Sequence, residues 1–194
     1  MTLLTSRFDE ALLYARAIHG GQKRKGTTVP YVAHLLGVAA LALEAGADEE
    51  QAIAALLHDA VEDQGGLPRL DDIRIRFGDR VAEIVHACSD SHSEPKPGWR
   101  ERKETYLACI AEKSSAALLV SLADKTYNAE AILTDLRALG DALWDRFAGG
   151  RDGTLWYYEQ LAQAFARLLP GSASDWLTHA VAAMHSEARA ASRP

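Results

Sequence analysis

Apolar residues recur along this chain at three- and four-residue spacing and do not alternate, which predicts helices almost throughout. A first helix opens at Thr5 or Ser6, either of which can cap it, and reaches about His19, with Phe8, Leu12, Leu13 and residues 15–18 inward. Gly20-Gly21 stops it, and a basic loop over residues 22–29 follows. Pro30 suits the first turn of a second helix, which carries His34 among Leu35, Leu36, Val38, Leu41 and Leu43 and ends at Gly46. Asp48 with Gln51 is a capping-box-like start for a third helix, ended by the stretch 64–68. Residues 69–89 read as a short helix, a break at Gly78 and a further helix with Val81, Ile84 and Val85 inward. A polar loop over 89–98 leads to a helix over 99–112, basic at its start. Ser114 caps a long apolar helix from Ala116 to about Leu139, and helices over 151–169 and about 174–190 complete the chain.

Within the third helix, Leu56-Leu57-His58-Asp59-Ala60-Val61-Glu62-Asp63 places four ionisable side chains over about one and a half turns. In a continuous helix His58 shares a face with Glu62, and Asp59 with Asp63. Like charges at that spacing repel, so helix stability alone does not favour them. A charged, solvated helix end is one reading; a divalent-metal site beside an acid/base pair is the other. Asp124 follows Leu118, Leu119, Val120 and Leu122, so it is a carboxylate on a buried element and requires a partner. His34, His58, Asp59 and Asp124 together supply two imidazoles and two carboxylates, a nitrogen and oxygen set that suits Mn²⁺ and also Mg²⁺, Fe²⁺ or Zn²⁺. His86, His92, His179 and His185 have no acidic companions at ligand spacing and read as structural or surface residues.

Composition narrows the class. The formal net charge of −6 argues against broad nucleic-acid or anionic-membrane binding, though not against an anionic small molecule held by a metal and local basic residues. Cys88 and Cys109, without metal-like spacing, point to a reducing compartment and buried thiols. The first residues lack the basic start and apolar core of a signal peptide, and no run is apolar enough to span a bilayer. The expectation is one cytoplasmic domain over 1–194, with its core at about 3–169, a C-terminal helix at about 174–190, and oligomeric state open.

The ordered pattern His34, His58-Asp59, Asp124 on helical sequence resembles the HD phosphohydrolase superfamily. Further motifs are Arg24-Lys25-Gly26 before Val29-Pro30-Tyr31 and His34, then Glu62-Asp63 after the His-Asp pair, then Asp124-Lys125 with Tyr127-Asn128. Together they are similar to the hydrolase domain of the RelA/SpoT family and, in length, to the small alarmone hydrolases. The resemblance implies an all-α HD-domain helical bundle with Mn²⁺ held by His34, His58, Asp59 and Asp124. It implies that Glu62 and Asp63 position and activate the attacking water, that Arg24 and Lys25 line the base and phosphates, and that Asn128 contacts the nucleotide. Tyr158 is counted with the substrate contacts. The family reaction is hydrolysis of the 3′-pyrophosphate of guanosine tetra- or pentaphosphate, releasing pyrophosphate and GDP or GTP. One departure is Glu130, which stands where relatives usually carry Arg, so an adenosine analogue is an open alternative substrate. An HD-type nucleotidase and a catalytically silent nucleotide-sensing domain are the rival readings.

Overall fold

The computed structural model describes residues 2–89 and 97–191, and every regular element among them is helical. Most of the polar loop expected over 89–98, with His92, lies outside the described residues. The chain divides into two compact units, Met1–Lys96 with Lys113–Asp124, and Pro97–Glu112 with Lys125–Pro194. The first carries α1 (Ser6–Ile18), α2 (Val32–Glu44), α3 (Glu49–Leu57), α4 (Ala60–Asp63), α5 (Gly66–Phe77) and α6 (Asp79–Cys88). The second opens with α7 (Trp99–Cys109); α8 (Ser115–Leu139) begins in the first unit and continues into the second, which ends with α9 (Gly150–Leu168) and α10 (Ser172–Ala191).

In the first unit, α3 packs against α1, α2 and α6. Its residues 52–57 are all buried, so this helix is apolar around its whole circumference, as a core helix must be. The expected capping box is formed: Asp48 Oδ1 accepts from the Gln51 backbone N–H at 2.9 Å, and Gln51 Oε1 accepts from the Asp48 N–H at 2.8 Å. Thr5 caps α1, and its own N–H and hydroxyl donate to Glu49 Oε1, tying the start of α1 to that of α3. Helix α1 buries Ala11 and Ala15, whereas Leu13 and Ala17 are exposed, contrary to the inward expectation. Each stands two residues beyond a buried alanine, on roughly the opposite side of a 3.6-residue helix. Gly78 breaks α5 from α6 at φ +92°, a conformation that other residues rarely adopt.

The central stretch departs from the sequence expectation. It is not one helix: α3 ends at Leu57, and α4 starts at Ala60. His58 Nδ1 lies 2.9 Å from the Ala55 carbonyl, the acceptor that the Asp59 N–H would use in a continuous helix. The side chain thus competes with the backbone ladder at the point where the chain turns.

In the second unit the indole of Trp99 lies so close over Gly149 that a Cβ there would meet ring carbons at 2.6 Å. Arg100 stacks its guanidinium 3.3 Å over the Trp156 ring. Buried Leu177, Ala180, Val181, Met184 and Ala188 follow the three- and four-residue spacing along α10, which packs on α9. A 3₁₀ segment, Gly140–Arg146, interrupts the expected loop before α9. Both cysteines are unbridged; Cys88 is half-buried and Cys109 exposed, so the expectation of buried thiols fails at Cys109.

Candidate metal centre

Three elements of the first unit converge. Helix α2 brings His34, the turn after α3 brings His58 and Asp59, and α8 brings Asp124. His34 Nε2 and His58 Nε2 lie 3.2 Å apart. Asp59 Oδ2 is 3.4 Å from His34 Nε2 and 3.0 Å from His58 Nε2. Asp124 Oδ1 is 3.4 Å and 3.5 Å from the same two atoms. Two ligands about 2.1 Å from one ion lie roughly 3.0 Å apart at a right angle and roughly 3.4 Å apart at the tetrahedral angle. The spacing therefore fits a divalent cation, and His34, His58 and Asp59 make a group able to hold one. Both imidazoles are buried, while Asp59 keeps 23 % of its side chain exposed, so solvent reaches the cluster on that side.

The surroundings orient these groups. With the His58 Nδ1 hydrogen directed to the Ala55 carbonyl, Nε2 faces the carboxylates. Burial opposes charge on His58, but Asp59 and Asp124 outweigh it and hold its pKa well above the ordinary imidazole value. Burial likewise opposes charge on Asp59, and His58 and His34 outweigh it, holding the carboxyl well below the usual range. The Tyr31 hydroxyl donates to Asp59 Oδ2 at 2.5 Å, and its ring meets His34 edge-on at 5.3 Å. Burial and the adjacent Asp59 keep that phenol protonated.

Beyond Asp59, the Asp63 N–H bonds back to the Asp59 carbonyl at 3.0 Å, so the two carboxylates stand one turn apart. Partial desolvation, with Asp59 and Glu62 nearby, raises the Asp63 pKa against the opposing effect of the Gln22 amide, which donates to Oδ2 at 2.7 Å. Glu62 is half-buried beside it on α4. The basic loop folds as a tight turn, with the Arg24 N–H on the Val29 carbonyl and the Tyr31 N–H on the Gln22 carbonyl, both at 2.9 Å. Its stem residues Gln22 and Tyr31 thus touch Asp63 and Asp59. Arg24, half-buried, and Lys25, exposed, lie on the turn itself.

The remaining sequence candidates belong to the second unit. Asn128 and Glu130 lie further along α8, both half-buried; Glu130 Oε1 accepts from the Trp176 indole N–H at 2.7 Å. Tyr158 is buried on α9 with its ring against Tyr157 at 5.8 Å. Sequence reading passed over Tyr31, Gln22 and His19 as site residues. None has an acidic neighbour nearby in sequence, and the Gln22–Asp63 contact joins residues 41 positions apart.

Comparison with known proteins agrees with this geometry. A family model described as HD domain matches residues 11–155. A frog protein from Xenopus tropicalis, named guanosine-3′,5′-bis(diphosphate) 3′-pyrophosphohydrolase MESH1, is 37 % identical over 138 residues, covering 70 % of this chain and 72 % of its own. The Drosophila melanogaster protein of the same name is 38 % identical over 130 residues, covering 66 % of this chain and 70 % of its own. The Escherichia coli K12 bifunctional (p)ppGpp synthase/hydrolase SpoT is 33 % identical over 162 residues, covering 80 % of this chain but 21 % of its own. A solved structure of a metazoan SpoT orthologue, described as hydrolysing ppGpp and acting in starvation responses, superposes with a TM-score of 0.76 at 30 % identity, covering 93 % of this chain and 96 % of its own. With the matching helices and the convergent His and Asp side chains, these similarities settle the family: the chain belongs to the HD-domain family and, within it, to the RelA/SpoT hydrolases.

Proposed function

We propose that this chain hydrolyses the 3′-pyrophosphate of an alarmone nucleotide, guanosine tetra- or pentaphosphate or an adenosine analogue. The products are pyrophosphate and the corresponding nucleoside 5′-di- or triphosphate. The observation that carries the reading is the convergence of His34, His58, Asp59 and Asp124 on one point, in a chain 37 % identical to a relative named for that reaction. These four residues are the proposed metal ligands, and their mixed nitrogen and oxygen donors suit Mn²⁺, with other divalent metals as alternatives. A bound divalent ion supplies Lewis-acid polarisation of the phosphoryl group and acidifies water. Water forms the new bond to the phosphorus next to the ribose, the bond from that phosphorus to the 3′-oxygen breaks, and the 3′-hydroxyl leaves with a proton.

Glu62 and Asp63 are the groups proposed to orient the water and accept its proton. Arg24 and Lys25 offset the phosphate charge that a chain of net charge −6 would otherwise repel. On the resemblance alone, Asn128, Glu130 and Tyr158 are the candidates for nucleotide contacts. The HD match over residues 11–155 supports reading the chain as one domain, and the two unbridged cysteines support a cytoplasmic setting. Among the described residues no helix is long and apolar enough to cross a membrane.

The test is incubation of the Mn²⁺-loaded protein with guanosine and adenosine 3′-pyrophosphates and separation of the products. Pyrophosphate is expected. Inorganic phosphate alone would mark a nucleotidase, and binding without turnover a sensing domain.

A further inference from the structure

A chain of polar side chains, buried at His19, half-buried at Gln22 and Gln64 and exposed at Asp63, runs from the end of α1 to α4. Gln22 Oε1 accepts from two donors, His19 Nδ1 at 2.6 Å and Gln64 Nε2 at 2.6 Å, while its own Nε2 donates to Asp63 Oδ2 at 2.7 Å. Reversing the Gln22 amide would set its oxygen against the Asp63 carboxylate and its NH₂ against that of Gln64. The amide is thus held one way round. His19 is 2 % exposed, and its Nε2 is buried with no hydrogen-bond partner among the described residues. An N–H there would be an unsatisfied buried donor, so the neutral ring carries its proton on Nδ1, where Gln22 accepts it. Burial lowers the His19 pKa, which keeps that ring neutral near pH 7. Tyr31 stacks flat on His19, with ring centroids 5.3 Å apart and an interplanar angle of 19°, and so fixes the plane of the imidazole.

We propose that His19, Gln22 and Gln64 are positioning residues for the reaction: they fix the Gln22 amide so that its N–H holds the Asp63 carboxylate in the orientation needed to take hold of the attacking water. The inference rests on the hydrolase reading above. Side chains from two segments, His19 on one and the adjacent Asp63 and Gln64 on the other, meet at one amide, and that amide's donor reaches a carboxylate one turn from a proposed metal ligand. A bond needed only for packing would not require its donor and acceptor ends to be fixed by two further side chains.

The test is a double-mutant cycle on the Mn²⁺-loaded enzyme with the better of the two 3′-pyrophosphates. Gln22→Leu is expected to lower kcat about 10- to 100-fold, the usual scale for losing an outer-shell partner, with KM and Mn²⁺ stoichiometry unchanged. In an Asp63→Ala background the same substitution is expected to cost almost nothing more, because its route to the chemistry is gone. His19→Leu should lower kcat in the same way, and His19→Asn, whose amide N–H occupies the place of Nδ1–H, should restore much of it. An equal loss in both backgrounds, or a rise in KM at constant kcat, would overturn the proposal. A wild-type protein that turns over neither nucleotide would overturn the hydrolase reading instead. Crystal structures of the wild type and Gln22→Leu then decide the positioning role: a displaced Asp63 carboxylate supports it, and an unmoved one refutes it.

Discussion

Asp59 meets three partners with one carboxylate oxygen, His34, His58 and the Tyr31 hydroxyl, so its loss should be felt across the whole cluster. Asp59→Ala is expected to abolish stoichiometric Mn²⁺ binding and turnover together; a variant that keeps both would remove Asp59 from the ligand set. Glu62→Gln should instead leave metal bound and slow turnover by about 10²-fold or more, the scale of lost acid/base help, which a metal titration beside a kcat measurement can separate. Glu130 already accepts a bond from Trp176, so Glu130→Arg both reverses a charge and frees the indole. If Glu130 discriminates between bases, the ratio of kcat/KM for guanosine and adenosine substrates should shift roughly ten-fold or more; a constant ratio would turn attention to Arg24 and Lys25. His19 makes a pH prediction. Burial lowers its pKa, aided by His58 and opposed by Gln22, Asp59 and Asp63, so the unfolded chain binds that proton more readily. Its neutral form favours folding above the ordinary imidazole value of about 6.5, and that contribution is lost as pH falls below it. Between about pH 7.5 and about pH 5.5, denaturant unfolding should show the wild type losing more stability than His19→Asn; equal losses would contradict it.

At the scale of elements, the sequence is most legible where burial is periodic. The capping box at Asp48 and Gln51, the Ser114 cap and the Gly78 break can each be read off short patterns, because the groups that decide them lie within four residues. The convergence of His34, His58, Asp59 and Asp124, the proposed ligands, is legible too, since a buried carboxylate and paired imidazoles demand a cation or one another. The break between α3 and α4 is not. It depends on His58 bonding the Ala55 carbonyl, a choice between two local hydrogen bonds that periodicity cannot register. The Gln22–Asp63 contact is equally invisible, because it joins residues 41 positions apart and forms only once folding brings the turn after α1 to the end of α4. Nor does the pattern around Gly149 reveal that Trp99 fills the space of a side chain there. Gly149→Ala drives a methyl into a rigid indole and should cost about 1–3 kcal/mol of stability, as overpacking usually does; thermal unfolding reads it, and an unchanged Tm would show that Trp99 moves away freely.

For the molecule as a whole, the acidic balance and the anionic substrate class are reconciled locally. A net charge of −6 repels a nucleotide at long range, and the proposed cation where His34, His58, Asp59 and Asp124 meet, with Arg24 and Lys25 on the nearby turn, would offset that repulsion. The four proposed ligating atoms come from three separate segments of the chain, so the site they form exists only in the folded protein and should stabilise it when filled. Metal dependence is therefore the claim on which the reading stands. The most direct measurement is pyrophosphate release from guanosine 3′-pyrophosphate by chelator-stripped protein titrated with Mn²⁺. Release should be absent in the stripped protein and return in proportion to added metal, saturating near one equivalent per chain. Undiminished turnover without metal, or no recovery after one equivalent is bound, would contradict it.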